Sequence, residues 1–219
     1  MAAQTIQRAG AAPRVPVRAL YARHRPKILA HLLALGPEDR HLRFGHPASD
    51  AQIGRYVEQI DFGNHEVFGI VDHRLDLVAM AHLAYANSWF DTGADARKGT
   101  RDTREAELGV SVDAAARGQG WGTRLFDRAV VQARNRGVDT LVIHAMAANA
   151  PMLRIARGAG AAVTFEGPDA LARLELPPAD VGSCVEALVE HQLAEFDYGC
   201  KLNVRCLNRW LGMARNGVS

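Results

Sequence analysis

Arg117-Gly118-Gln119-Gly120-Trp121-Gly122 (RGQGWG) lies between a strand-like run, Glu105 to Val112, and a strongly helical run, Gly122 to Arg136. Alternating glycines allow a tight turn, and a helix that opens on such a turn leaves its first N–H groups without acceptors and pointing one way. The helix dipole adds positive potential at the same end. The stretch therefore reads as a cradle, made by backbone, for a phosphorylated ligand. Downstream, Thr140 to Met146 (TLVIHAM) is an apolar run of strand length. Strand, glycine turn, helix and strand in that order imply a parallel pair joined by a crossover helix.

Several ligands fit such a loop. A P-loop needs GxxxxGK followed by Ser or Thr, and the chain has no Gly-Lys pair. A dinucleotide fingerprint needs GxGxxG with an acidic residue about 20 positions on. Here the glycines are Gly118, Gly120 and Gly122, one residue out of step, with Asp139 opening the next strand. A third reading is bland: the glycines only permit the chain to turn from strand to helix.

Working outward, residues 1–14 read as a flexible leader. Val15 to Leu20 reads as a short first strand that Pro16 confines to an edge. Ile28, Leu29, Leu32 and Leu33 recur at helical spacing between Lys27 and Leu35, and Gly36-Pro37 stops that helix. A short helical turn follows over Pro37 to His41, and Ser49-Asp50 caps a helix running to Gln59. Glu66–Val71 and Leu77–Tyr85 form a hairpin about Asp72-His73-Arg74, and residues 87–102 form a long polar loop. The helix after the glycine turn ends at Gly137, a residue suited to a left-handed cap. Pro151 to Arg157 is a short helix, and Val163–Phe165 and Leu171–Leu176 are closing strands. Pro177-Pro178 marks a boundary: residues 15–177 form one α/β domain, and 178–219 a helical extension with helices at Cys184–Phe196 and Val204–Met213.

Composition narrows the class. The 219 residues are 48% hydrophobic and 23% charged, an ordinary globular balance, and the net charge of +2 is too mild to point to nucleic acid or an anionic membrane. Cys184, Cys200 and Cys206 form no CxxC or Cys/His ligand spacing, so no metal site is expected and the thiols read as reduced. The N-terminus lacks the apolar core of a signal peptide, and no apolar run reaches membrane-spanning length. A soluble cytoplasmic protein is expected.

RGQGWG also resembles a known pattern. It fits the acyl-coenzyme A signature of the Gcn5-related N-acetyltransferases (GNAT), Arg or Gln, two residues, Gly, one residue, Gly or Ala, with Arg117, Gly120 and Gly122 in the fixed positions. The flanks are similar as well: ELGVSV leads into the loop through DAAA, and Asn149-Ala150-Pro151-Met152 resembles that family's NxxM segment. The likeness is specific over about residues 105–161. It is weaker from Val15 to Tyr85, where Pro37 to Asp61 is similar to the N-terminal part of bacterial protein-lysine acetyltransferases and their single-domain relatives. The resemblance implies an α+β fold, a central mixed and mostly antiparallel sheet with a splayed parallel pair, flanked by helices. It implies acetyl-CoA as co-substrate and an amine, protein lysine or small molecule, as acceptor. Backbone groups of Gly118, Gln119, Gly120, Trp121, Gly122 and Thr123 would hold the pyrophosphate, with Arg117 supplying positive charge. Main-chain groups of Val110 and Val112 would pair with pantetheine, and Asn149 would bond its arm or simply cap the following helix.

Acetylation of an amine needs a neutral nitrogen, a route for its proton and donors for the tetrahedral oxyanion. Strand alternation puts Glu105, Glu107, Gly109 and Ser111 on one face. Glu107 stands where lysine acetyltransferases of similar pattern carry their general base, and a partly desolvated carboxylate there would accept an ammonium proton. Both glutamates are also ordinary solvent-facing strand residues. Many relatives place a tyrosine four residues before the glycine of a Gly-Phe pair to protonate the departing thiolate. Here Gly160-Ala161 is that pair, and Ala156 occupies the tyrosine position. His144, Tyr85 and His82 carry no stronger signal than packing or substrate contact. Alternatives are therefore a non-catalytic acyl-CoA-binding or sensing module on the same fold, or a nucleotide-binding domain. The helices after Pro178 are read as shaping the acceptor site or a homodimer interface.

Overall fold

The computed structural model describes residues 16–85 and 104–178. The leader, the 87–102 loop, the C-terminal helices with their cysteines and any homodimer interface built on those helices lie outside the described residues.

Seven strands form one sheet in the order β1-β2-β3-β4-β5-β7-β6. They are β1 (Arg18–Leu20), β2 (His65–Val71), β3 (Leu77–Tyr85), β4 (Glu105–Val112), β5 (Thr140–Met146), β6 (Ala162–Glu166) and β7 (Asp169–Glu175). The helices are α1 (Arg25–Ala34), α2 (Pro37–Phe44), α3 (Asp50–Gln59), α4 (Trp121–Asn135) and α5 (Ala150–Gly158). All pairings are antiparallel except β4 with β5, which α4 connects as a crossover. β1 sits at the sheet edge, where a proline beside it costs no ladder bond.

Local chemistry sets the element ends. Ser49 and Gln52 form a reciprocal cap on α3: Ser49 N donates to Gln52 Oε1 at 2.8 Å, and Gln52 N to Ser49 Oγ at 3.4 Å. Gly137, at φ 71°, closes α4 in the left-handed conformation. α2 runs to Phe44, further than its sequence pattern predicted. Glu38 and Asp39 in its first turn and His41 and Arg43 in its last complement the helix dipole, and Gly45 at φ 75° ends it, donating to His41 O at 2.8 Å.

Each face of the sheet buries its own core. One face packs Phe68, Ile70, Leu83, Ala106 and Leu108 against Leu125, Phe126 and Ala129 of α4 and Met152 and Ala156 of α5. The other packs Leu20, Val67, Val71 and Met80 against Ile28 and Leu32 of α1 and Ile53 and Val57 of α3. The alternation along β4 is thereby explained: Ala106 and Leu108 are covered by α4, while Glu107, Gly109 and Ser111 face the side of α1 and α2.

The feature that positions the site lies between β4 and β5. They pair only at Glu105–Thr140, Ala106–Leu141 and Glu107–Val142. Beyond those pairs β4 stays bonded to β3 through Val112, and β5 to β7 through Met146. The sheet is open between them there, and α2 packs on both strands.

Candidate functional site

The opening leads into a cavity of about 390 Å³, within the size range of small-molecule sites. Val110 and Val112 of β4, Arg117, Gly118 and Gly120 of the turn, Trp121, Gly122 and Thr123 of α4, and Asn149 line it. Nine of the ten predicted binding residues are thus brought together. Gln119 is exposed and does not line the cavity.

The loop geometry follows from its glycines. Gly118 and Gly120 take φ of 77° and 75°, with open space where a side chain would project. Gly122 answers a different need: a Cβ there would stand 3.3 Å from Ile155 Cδ1, so its absence lets α4 and α5 approach. The first bond of α4 runs from Arg124 N to Gly120 O at 3.1 Å, leaving the amides of Trp121, Gly122 and Thr123 without an acceptor inside the helix.

Arg117 is not a free cation. Its Nη2 lies 2.5 Å from Asp39 Oδ1 of α2, which ties the turn to the far wall of the cavity. Asn149 Oδ1 accepts from Met152 N at 3.2 Å, so it caps α5 while also lining the cavity. Glu107 is exposed, at the vertex where β4 and β5 part, and outside the cavity lining. The partly desolvated setting expected for it is therefore absent, and water reaches the carboxylate directly. Glu105 pairs with Arg173 at 2.7 Å, an exposed ion pair across to β7.

Sequence reasoning missed what α1, α2 and α3 bring to this face. Buried His31 places Nε2 2.8 Å from Ser111 Oγ, and its Nδ1 lies 3.1 Å from Leu77 O and 2.9 Å from Asp113 Oδ1. Both Nδ1 neighbours are acceptors, so Nδ1 carries a proton, while Nε2 and the Ser111 hydroxyl share the other bond. This network ties α1 to the end of β4 at the cavity wall. A second chain starts at Arg43 of α2. Its guanidinium occupies the space a Gly109 side chain would fill, and its Nη2 donates to Tyr56 Oη at 2.7 Å. The Tyr56 hydroxyl then donates to His82 Nδ1 at 2.6 Å, and His82 Nε2 to His65 Nδ1 at 3.0 Å. A glycine within a strand signals close approach by another group, and Gly109 was the one available hint of Arg43.

That chain has a measurable consequence. Burial first, then the charges of Arg43 and His65, push the His82 imidazole down to about 3 from its ordinary 6.5. Burial lowers His65 as well, against the pull of Asp61. Between those two values the unfolded chain takes up a proton that the folded protein refuses, so stability falls as pH drops through about 6.5 toward 3. The loss reaches up to about 1.4 kcal/mol per pH unit. The thermal midpoint should fall steeply from about pH 7 to pH 5 and less steeply in His82→Asn; parallel curves for the two proteins would rule His82 out as the source.

Two of the three groups considered as proton donors, Tyr85 and His82, are withdrawn by burial. Tyr85 packs on the opposite, α4 face, where burial and the Glu66 carboxylate push its phenol up. His144 is exposed on β5, and His82 is held neutral inside its chain. Ala156 is fully buried in the core under α5.

Comparison with known proteins says which family the chain comes from. The model of the Acetyltransferase (GNAT) family matches residues 37–161, from the first residue of α2 through the end of α5. The chain belongs to the GNAT acetyltransferase family. It is accordingly an acetyltransferase, of a family that uses acyl-CoA donors, and the P-loop and dinucleotide readings fall away. Solved GNAT structures share the fold. The GNAT domain of S. lividans PAT is 21% identical with a TM-score of 0.58, over 73% of this chain and 89% of that one. Ribosomal-protein-alanine N-acetyltransferase from Brucella melitensis is 19% identical, TM-score 0.51, over 73% and 99%. A GNAT-family acetyltransferase from Streptococcus pneumoniae is 10% identical, TM-score 0.54, over 74% and 98%. No curated protein sequence matches the chain. Among the described residues, no helix is long and apolar enough to cross a membrane, and no group of His, Cys, Asp or Glu has the makings of a metal site.

Proposed function

We propose that this GNAT protein is an acetyl-CoA-dependent N-acetyltransferase that moves the acetyl group directly to an amine, on a protein lysine or a small molecule, with Glu107 as general base. The observation that carries the reading is the parting of β4 and β5 beyond Glu107 into a cavity that ends on the free amides of the α4 N-terminus. Pantetheine would lie along Val110 and Val112, and the pyrophosphate would meet the amides of the glycine turn and of Trp121 to Thr123. The acyl carbon would then fall near the vertex, beside Glu107. Water at the exposed vertex would carry the ammonium proton to Glu107 and return one to the thiolate. The three cysteines, with no pairing pattern, favour a reducing compartment, and we assign the reaction to the cytoplasm.

Ala156 favours a second reading, a module that binds acyl-CoA without turning it over, because no hydroxyl stands ready at that position. One experiment separates the two. With acetyl-CoA and an amine panel, thiol release should be amine-dependent, and intact mass should show no acetyl-enzyme with acetyl-CoA alone. Tight CoA binding without turnover on any amine would leave the binding module. An acetyl-enzyme that breaks down on amine addition would overturn direct transfer.

A further inference from the structure

Among the described residues, Arg43 is a cation of the cavity with no counter-ion. It lines that cavity beside Val110 and Ser111, and no carboxylate among the described residues pairs with it. Asp39, the acidic residue in the cavity lining, is already engaged by Arg117. Arg43 Nε is buried with no hydrogen-bond partner, while Nη2 is fixed by Tyr56. The rings of Phe44 and Tyr56, 5.1 and 5.4 Å from the guanidinium carbon, hold the plane in place. Gly109 is bare where the guanidinium sits, so the close approach is built into the strand.

A half-buried guanidinium, pre-oriented and with donors to spare, is matched by a carboxylate on a ligand. Its location says which part of the ligand. Gly109 is two residues beyond Glu107 on the same face of β4, roughly 7 Å away. It is separated from the glycine turn by the rest of the strand and Asp113 to Ala116, so the phosphates held by that turn lie at the other end of the cavity. Arg43 faces the reacting end.

We infer that Arg43 anchors a carboxylate carried by one of the two reactants, so that the enzyme selects either an amino-acid-like acceptor or an acyl chain ending in a carboxylate. In the first case the amine faces Glu107 while its own carboxylate meets the Arg43 fork. In the second, the acyl terminus reaches Arg43 from the donor. This rests on the acyl-transfer reading given above. Both cases use the same fork, and the experiment tells them apart.

The test measures kcat/KM for matched pairs: amino acids against their carboxamides with acetyl-CoA, and succinyl-CoA against acetyl-CoA with one neutral amine. In one of the two pairs the carboxylate form should be favoured by about 100-fold, the worth of a charged bidentate contact. Arg43→Gln should bring that ratio to about one. Arg43→Lys, which keeps the charge and loses the fork, should leave it at about ten and serves equally if the glutamine variant does not fold. Ratios near one in both pairs for the unaltered enzyme overturn the anchor while acyl transfer stands. An Arg43→Gln loss that is equal for charged and neutral partners also overturns it, since the charge would then act on the transition state alone. No turnover of any amine would fell acyl transfer itself, and the anchor with it.

Discussion

Glu107→Gln should lower kcat by about two to three orders of magnitude at neutral pH and leave acetyl-CoA affinity nearly unchanged. General-base assistance is worth about 10² to 10⁴ in rate, and glutamine keeps the shape of the side chain while losing its basicity. Affinity should hold because Glu107 lies at the vertex and not in the lining of the cavity. The loss should also shrink as pH rises toward the amine's own range, where the acceptor arrives already neutral. Initial rates across pH, with calorimetry for acetyl-CoA, separate these effects. Full activity in the variant at every pH would remove Glu107 from the reaction. A loss carried by KM for the amine alone would make it a binding group.

Gly120→Val should abolish measurable CoA binding, weakening affinity by about 100-fold or more, while the protein remains folded. A side chain at φ 75° costs about 1–2 kcal/mol in the left-handed region, and more for a β-branched residue. The folded protein otherwise has room, because nothing lies within 4 Å of the added Cβ. That room is the cavity, so the valine would stand where the ligand's phosphates approach the backbone. Gly137→Val provides the control. It imposes similar strain at φ 71°, and its Cβ meets only the end of the flexible Arg104 side chain, 2.9 Å away. Calorimetry should find CoA bound normally there despite a lower Tm. Equal loss of affinity in both variants would mean that strain alone, and not occupation of the cradle, governs binding.

The fold was readable because its signals are local. Ser49-Asp50, Gly137 after α4, and the TLVIHAM run each declare an element within a few residues, and the structure places those elements as expected. The residues proposed for the donor side gather at one cavity for the same reason, since the turn and the first turn of α4 are contiguous. The wall opposite was not. Asp39 and Arg43 sit on a polar helix with no motif, and each matters through a partner some 70 residues away in sequence, Arg117 and Gly109. His31 read as one of several helical residues, and only folding sets it against Ser111 and Asp113. Period-two alternation also assigned Glu107 to the correct face without revealing that the face is open to water at that point.

The three-pair junction between β4 and β5 makes the sheet two half-sheets sharing a short seam. One half carries α1 and α3, and the other carries α5. A pantetheine arm, with its two amides, is chemically a short piece of peptide, and the gap between the halves has the form of a missing strand. A donor seated there would act as masonry as well as reagent, bridging the two halves while the reaction proceeds. Departure of CoA would then unmake part of the architecture, and the ease of turnover would be tied to how readily an unfinished sheet tolerates being unfinished again.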